Sequence, residues 1–276
     1  MPDRPFDTLD PKQSLGQNFM ADPNTIRKVA DTLQAGPDAH VVEIGPGMGA
    51  LTEVLLQRYP TFTALEIDER AVTYLRHQYP NADVRHMDVL EADYAALAAE
   101  KGEPLHVIGN VPYNIGSQIL FGLMEAAAHV AEGVITLQRQ VVDRIVAEPR
   151  TKAYGILSVL LQLYTRPTRA FRISRHVFRP PPDVESAVLH FTMDGPLWDV
   201  PDDERPPLAF LHAVVRTAFN QRRKTLRNSL HPWTRGQGLT LPDDWKRRRA
   251  EELRPTQFIT LTQHLRAQGA DEQAGI

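Results

Sequence analysis

The chain has 276 residues, 42% hydrophobic and 24% charged, with a net charge of −3, values of an ordinary globular protein long enough for one main domain and a smaller one. No apolar run reaches membrane-spanning length and no signal-peptide pattern stands at 1–10. The absence of cysteine excludes a disulfide framework and a thiolate metal site, and fits a reducing cytoplasm.

In chain order, Gln13-Ser14-Leu15-Gly16-Gln17-Asn18-Phe19-Met20 precedes the first helix. It reads as a polar loop with Leu15 and Phe19 tucked inward, or as a lid over a ligand with Gln17, Asn18 and the Met20 backbone in contact. Short apolar runs at 41–44, 61–67, 83–86, 105–108 and 134–137 predict strands. Helical periodicity at 50–58, 69–79, 115–127 and 139–147 fills the intervals, with Asp68 and Asn114 as expected N-caps. This alternation predicts an α/β fold with a mostly parallel sheet covered on both faces. Residues 168–173 and 185–191 read as two more strands, an antiparallel pair at the sheet edge. Asp, Pro and Gly enrichment near 193–207 marks a boundary, which predicts a main domain over 1–195 and a small helical domain over 196–276. A helix is expected over 208–219 and a frayed tail over 269–276.

The strand ends carry the chemistry. Val41-Val42-Glu43-Ile44-Gly45-Pro46-Gly47-Met48-Gly49 is strand, glycine turn and helix start. Gly45 and Gly47 let a ligand approach the backbone. The G-x-G-x-G spacing, Pro46 and Glu43 depart from the G-x-G-x-x-G of dinucleotide binders. A pyrophosphate would need a different loop, whereas S-adenosylmethionine has only a ribose, an adenine and a charged amino-acid tail. Glu66 ends the second strand, where a carboxylate accepts from ribose hydroxyls, and Ile67 follows it. Asp88, followed by Val89, ends the third, where it can accept from an adenine amino group. Asn110 ends the fourth, within Asn110-Val111-Pro112-Tyr113. There the Asn110 side-chain oxygen can accept from an amino N–H, Pro112 fixes the turn and leaves a carbonyl free, and Tyr113 offers a stacking face. Each residue alone is an ordinary cap or turn residue. Four in strand order form a site.

The net charge conceals an asymmetry. Residues 1–138 hold 9 Lys and Arg against 19 Asp and Glu, net −10; residues 139–276 hold 22 against 15, net +7. Basic clusters recur at 139–152, 166–179, 216–227 and 246–254, which points to a polyanion on one face rather than to solvated helix surfaces. Arg222, Arg223 and Lys224 are expected phosphate contacts.

The segments 14–20, 42–52, 110–116, 177–188 and 216–230 resemble the ribosomal RNA adenine N6,N6-dimethyltransferases. The stretch 218–228 resembles the KsgA (RsmA) small-subunit type more than the dimethylases of large-subunit rRNA. The resemblance spans roughly 12–230. It implies a class I, Rossmann-like methyltransferase core of seven strands that binds S-adenosylmethionine, and a small RNA-binding helical domain. It also implies cofactor contacts at Asn18, Met20, Gly45, Glu66, Asp88 and Asn110, with Gln17, Gly47, Ile67 and Val89 beside them. Catalysis would fall to Asn110, Pro112 and Tyr113, with Phe178 as a second aromatic clamp, its loop stiffened by Pro180, Pro181 and Pro182. The expected reaction dimethylates two adjacent adenosines in the 3′-terminal hairpin loop of 16S rRNA within the small ribosomal subunit, by a cytoplasmic monomer during subunit biogenesis. Gly116, where the family usually has Ser, and Asp183, where a basic residue is common, depart from the pattern. Two rivals remain open at this point: an adenine methylase of large-subunit rRNA or DNA, and an RNA-binding assembly factor.

Overall fold

The computed structural model describes residues 10, 12, 15–100 and 104–270. Seven strands form one sheet: β2 (Val41–Ile44), β3 (Phe62–Glu66), β4 (Asp83–His86), β5 (Leu105–Asn110), β6 (Val130–Gln138), β7 (Arg166–Ile173) and β9 (Ser186–Thr192). Their order is β4-β3-β2-β5-β6-β9-β7. Strands β4 to β6 run parallel, and β9 is antiparallel to β6. The chain builds outward from β2 in one direction and from β5 in the other, so strand order reverses between them. Ligands of open α/β sheets bind in the crevice outside the carboxyl ends at such a reversal.

The central strands are apolar because both their faces are covered: every residue of β2 and β3 is buried. Gly109 on β5 is required by close approach, since an added Cβ would sit 2.5 Å from the Ile44 carbonyl oxygen. Helices α1 (Pro23–Ala30), α2 (Thr52–Leu56), α3 (Glu69–Gln78), α4 (Tyr94–Ala99) and α5 (Gly116–Glu125) fill the connections. Asp68 caps α3 as expected, its carboxylate accepting from the Arg70 N–H. Asn114 does not cap α5. Ile115 holds that position without a side-chain bond, because the helix begins one residue later than the polar side chain would need. A separate two-stranded pair joins β1 (Phe19–Met20) to β8 (Phe178–Arg179), with Met20 opposite Phe178.

The chain divides into two compact units, residues 1–142 with 168–193, and residues 143–167 with 194–276. Helix α6 (Arg139–Ile145) leads from the first into the second. In the second unit, α7 (Ile156–Tyr164) and α8 (Leu208–Asn220) pack with the helix Pro255–Ala267. The Phe219 ring stacks on Phe258 and meets Tyr154 edge-on. Arg222 is a structural pin in this unit. Its guanidinium donates to Glu251 at 2.5 Å and to the carbonyls of Thr151 and Lys152. That occupies three of its five N–H donors. Arg223, Lys224 and Arg227 beside it are exposed. Among the described residues, no helix is long and apolar enough to cross a membrane.

At the amino edge of the sheet, Glu132 on β6 is buried. It accepts from the Gln34 N–H at 2.8 Å, from His106 at 3.0 Å and from His190 at 2.8 Å. Burial alone would push its carboxyl up; the donors from His106, His190 and Gln34 outweigh that and hold it at about 2. An unfolded glutamate titrates near ~4.3. The stability it contributes is therefore complete above that value and lost as pH falls towards about 2. Glu132→Gln should cost roughly 1–3 kcal/mol at neutral pH and flatten the acid limb of a plot of urea midpoint against pH. An acid limb identical to that of the parent chain would refute the assignment.

Candidate active site

The carboxyl ends of β2 to β5 open into a cleft with an empty volume of about 1210 Å³, its open mouth included. Every cofactor residue expected from the sequence lines it: Gln17, Asn18, Met20, Gly45, Gly47, Glu66, Ile67, Asp88, Val89 and Asn110. Pro112 and Tyr113 line it as well.

The glycine turn after β2 is left-handed, with φ of 64° at Gly45 and 55° at Gly47, a conformation that L side chains avoid. An added Cβ at Gly47 would sit 2.7 Å from Phe19 Cε1, so the glycine admits the Phe19 ring over the turn. The turn is fastened to β3. Gly47 N–H donates to Glu66 Oε2 and Asp68 N–H to Glu66 Oε1, both at 2.9 Å. Burial pushes the Glu66 carboxyl up, and these two donors oppose it.

Glu43, which the sequence marks only as a departure from the dinucleotide fingerprint, also lines the cleft. It is 1% exposed and accepts from Thr52 Oγ1 at 2.6 Å. Burial pushes it up to about 8. The available signal was an acid inside an otherwise apolar strand, two residues before the first glycine.

Asp88 caps the short turn of helix Val89–Glu91, its Oδ1 accepting from Leu90 N–H at 2.9 Å. Among the described residues Oδ2 has no partner. Beside it, Ile67 and Leu90 are 46% and 44% exposed and line the cleft, an apolar surface of the kind a flat ring covers.

Asn110 donates its Nδ2 to the Asn18 carbonyl at 2.9 Å. This bond fixes the amide and leaves Oδ1 as an acceptor without a protein partner among the described residues. Of the two carbonyls at the Val111–Pro112 turn, that of Pro112 accepts from Ile115 N–H at 3.3 Å. The turn engages it, and one lone pair remains. The Tyr113 hydroxyl lies 2.5 Å from Ser186 Oγ. Burial pushes the phenol up and the Ser186 bond opposes it, so the phenol stays protonated.

Two expected residues make structural contacts. The Gln17 amide donates to Asp68 Oδ2 at 3.1 Å and accepts from Lys12 N–H at 2.8 Å, so the side chain ties the N-terminal strap to α3. Asp68 also pairs with Lys12 and Arg70, and the Arg70 guanidinium holds its carboxyl well below the usual range. Phe178 is 2% exposed and packs in the core with Met20. It is absent from the cleft lining and presents no ring face there. Gln13 and Ser14 of the strap, and 271–276 of the expected tail, lie outside the described residues. At Gly116 an added Cβ would collide with Leu137, so glycine lets α5 rest against β6 where a serine could not without adjustment. Asp183 is exposed.

The family model described as ribosomal RNA adenine dimethylase matches residues 9–266. A Ribosomal RNA small subunit methyltransferase A from Salinibacter ruber is 56% identical over 93% of this chain and 86% of its own length. The protein of the same name from Bacteroides thetaiotaomicron is 38% identical over 92% of this chain and 93% of its own. Among solved structures, a 23S rRNA methyltransferase, ErmE, superposes with a TM-score of 0.66 at 26% identity, over 90% of this chain and all of its own. A dimethyladenosine transferase from Plasmodium falciparum reaches 0.72 at 20% identity, over 88% and 95%, which speaks to the fold.

Proposed function

The chain belongs to the ribosomal RNA adenine dimethylase family, and from that premise we propose that it dimethylates N6 of two adjacent adenosines in the 3′-terminal hairpin loop of 16S rRNA, acting as a cytoplasmic monomer on the small ribosomal subunit. The chain is an S-adenosylmethionine-dependent rRNA adenine dimethyltransferase. One observation supports the finer reading of the site most directly. The ends of β2, β3, β4 and β5 bring Gly45 and Gly47, Glu66, Asp88 and Asn110 to one cleft, and the Asn110 amide is oriented there by Asn18.

The cleft fits S-adenosylmethionine. Its turn is open at Gly45, where an added Cβ would meet nothing nearer than the Asn110 carbonyl oxygen at 3.8 Å, Asp88 offers a spare acceptor for an adenine amino group, and Ile67 and Leu90 offer an apolar bed. We assign Glu66 to the ribose hydroxyls, and Asn18 and Met20 to the strap side. Glu43 lies in the same cleft as the place for a cationic tail, whose field would favour its ionised form.

The cofactor, when bound, supplies an electrophilic methyl. The protein must then make a poor nucleophile attack it, because the N6 lone pair of adenine is delocalised into the ring. Asn110 Oδ1, accepting from N6–H, favours a pyramidal nitrogen whose lone pair can point at the methyl. Tyr113 fixes the plane of a base taken out of its stack, so that positioning supplies much of the rate. No strong base is needed. Once the new N–C bond has formed, N6 is cationic and its proton leaves readily.

Substrate choice is tested by offering labelled cofactor with small and with large ribosomal subunits that lack the modification. The proposal expects label in the small subunit; label in the large subunit alone would overturn it. RNA docking is expected to use the exposed Arg223, Lys224 and Arg227 rather than Arg222. Their joint replacement by Ala should lower the slope of log affinity against log salt by roughly 0.7–0.9 for each phosphate no longer neutralised, with cofactor affinity unchanged. An unchanged slope would remove this segment from the RNA interface.

A further inference from the structure

Ser186 opens β9, opposite Gln138 on β6, and is completely buried. Its place is fixed by the sheet, since the Arg139 N–H donates to the Glu185 carbonyl at 2.9 Å directly beside it. Its hydroxyl meets the Tyr113 hydroxyl at 2.5 Å, at the short end of the range for O–H···O bonds. These two residues lie 73 positions apart in sequence. Tyr113 lines the cleft three residues after Asn110. A tyrosine held only by its backbone in a turn can change both side-chain torsions. A bond at the far end of the ring removes that freedom and fixes the ring plane. A stacking face already immobile loses less entropy when a base settles on it.

We propose that Ser186 is a positioning residue for the methylation reaction, holding the Tyr113 ring in the plane against which the target adenine lies. The inference rests on the assignment of Tyr113 as the stacking face. Tyr113→Phe keeps that face and removes the tether, and Ser186→Ala removes the tether from the other side. The experiment measures single-turnover methylation at saturating RNA and cofactor for both variants and for the double variant. In parallel, fluorescence of 2-aminopurine at the target position, a base without an N6 amino group, reports stacking.

Each single variant should slow methylation roughly five- to tenfold, as expected for the loss of one hydrogen bond. The double variant should be no slower than either, because both remove the same bond. Quenching of 2-aminopurine should weaken in all three, with RNA affinity and melting temperature little changed. Parent-like rates, or losses that multiply in the double variant, would overturn the inference. If Ser186→Ala fails to fold, Tyr113→Phe decides alone: a parent-like rate and full quenching refute the tether. Tyr113→Ala separates the two levels. If it leaves quenching and rate intact, the stacking assignment itself has failed. If it abolishes both while Tyr113→Phe and Ser186→Ala behave as the parent, only the role of Ser186 has failed.

Discussion

Asn110→Ala should lower the single-turnover methylation rate by about 10²–10³-fold, the loss typical of one preorganised polar group acting on a transition state, while RNA affinity stays close to that of the parent chain. The asymmetry follows from what the amide does. Its oxygen accepts from an N6–H whose acidity rises as the nitrogen becomes pyramidal and begins to bond the methyl, so the contact is stronger in the transition state than in the bound substrate. The same side chain has a second task, since Nδ2 holds the Asn18 carbonyl at 2.9 Å. Cofactor affinity should therefore fall modestly as the strap loses that donor. The rate comparison is consequently made at saturating cofactor, where the strap effect disappears and the chemical effect remains. A parent-like rate accompanied by collapsed RNA binding would make Asn110 an RNA contact and end the mechanism proposed.

Asp88→Ala should weaken S-adenosylmethionine binding by roughly 1–3 kcal/mol, about 5- to 150-fold in Kd, the range for a charge-assisted hydrogen bond. Alanine also removes the cap that accepts from Leu90 N–H at 2.9 Å, so part of the loss could come from the turn. Asp88→Asn separates the two. Its oxygen can still cap the turn, but its NH₂ would face the adenine amino group donor to donor. The Asn variant should thus melt like the parent and bind cofactor as weakly as the Ala variant, or more weakly. Calorimetry with parent-like affinity in the Asn variant would move the adenine contact away from Asp88.

The parallel strands were legible because burial on both faces leaves near-continuous apolar runs, as in Phe62–Glu66. Strand β6 is longer than its apolar run, since Glu132 and Gly133 interrupt the pattern. The acid is tolerated there because His106 and His190 meet it, partners that lie 26 and 58 residues away in sequence. Helix α7 is mostly apolar, and its polar face is reduced to Ser158 and Gln162, four residues apart, a faint period in a run that also reads as a buried segment. The β1–β8 pair involves two residues on each side, too few to show alternation.

The site followed the same division. Glycine, Glu66, Asp88 and Asn110 could be read because strand order alone brings strand ends together. What each atom does could not. The bond from Gln17 to Asp68, the bond from Ile115 to the Pro112 carbonyl and the burial that pushes the Glu43 carboxyl up all depend on neighbours that no local pattern specifies. Arg222 is the sharpest case. It stands in a run with Arg223 and Lys224 and looks equivalent to them, yet Glu251 and two carbonyls claim its guanidinium.

The most direct measurement incubates the protein with isotopically labelled S-adenosylmethionine and small ribosomal subunits lacking the modification, then digests the 16S rRNA and maps labelled nucleosides by mass spectrometry. The account predicts N6,N6-dimethyladenosine, two labelled methyls on each of two adjacent residues in the 3′-terminal hairpin loop, with none formed by Asn110→Ala in the time the parent chain needs for completion. Label at another base or position, or two methyls appearing at the parent rate in the Asn110→Ala variant, would contradict it.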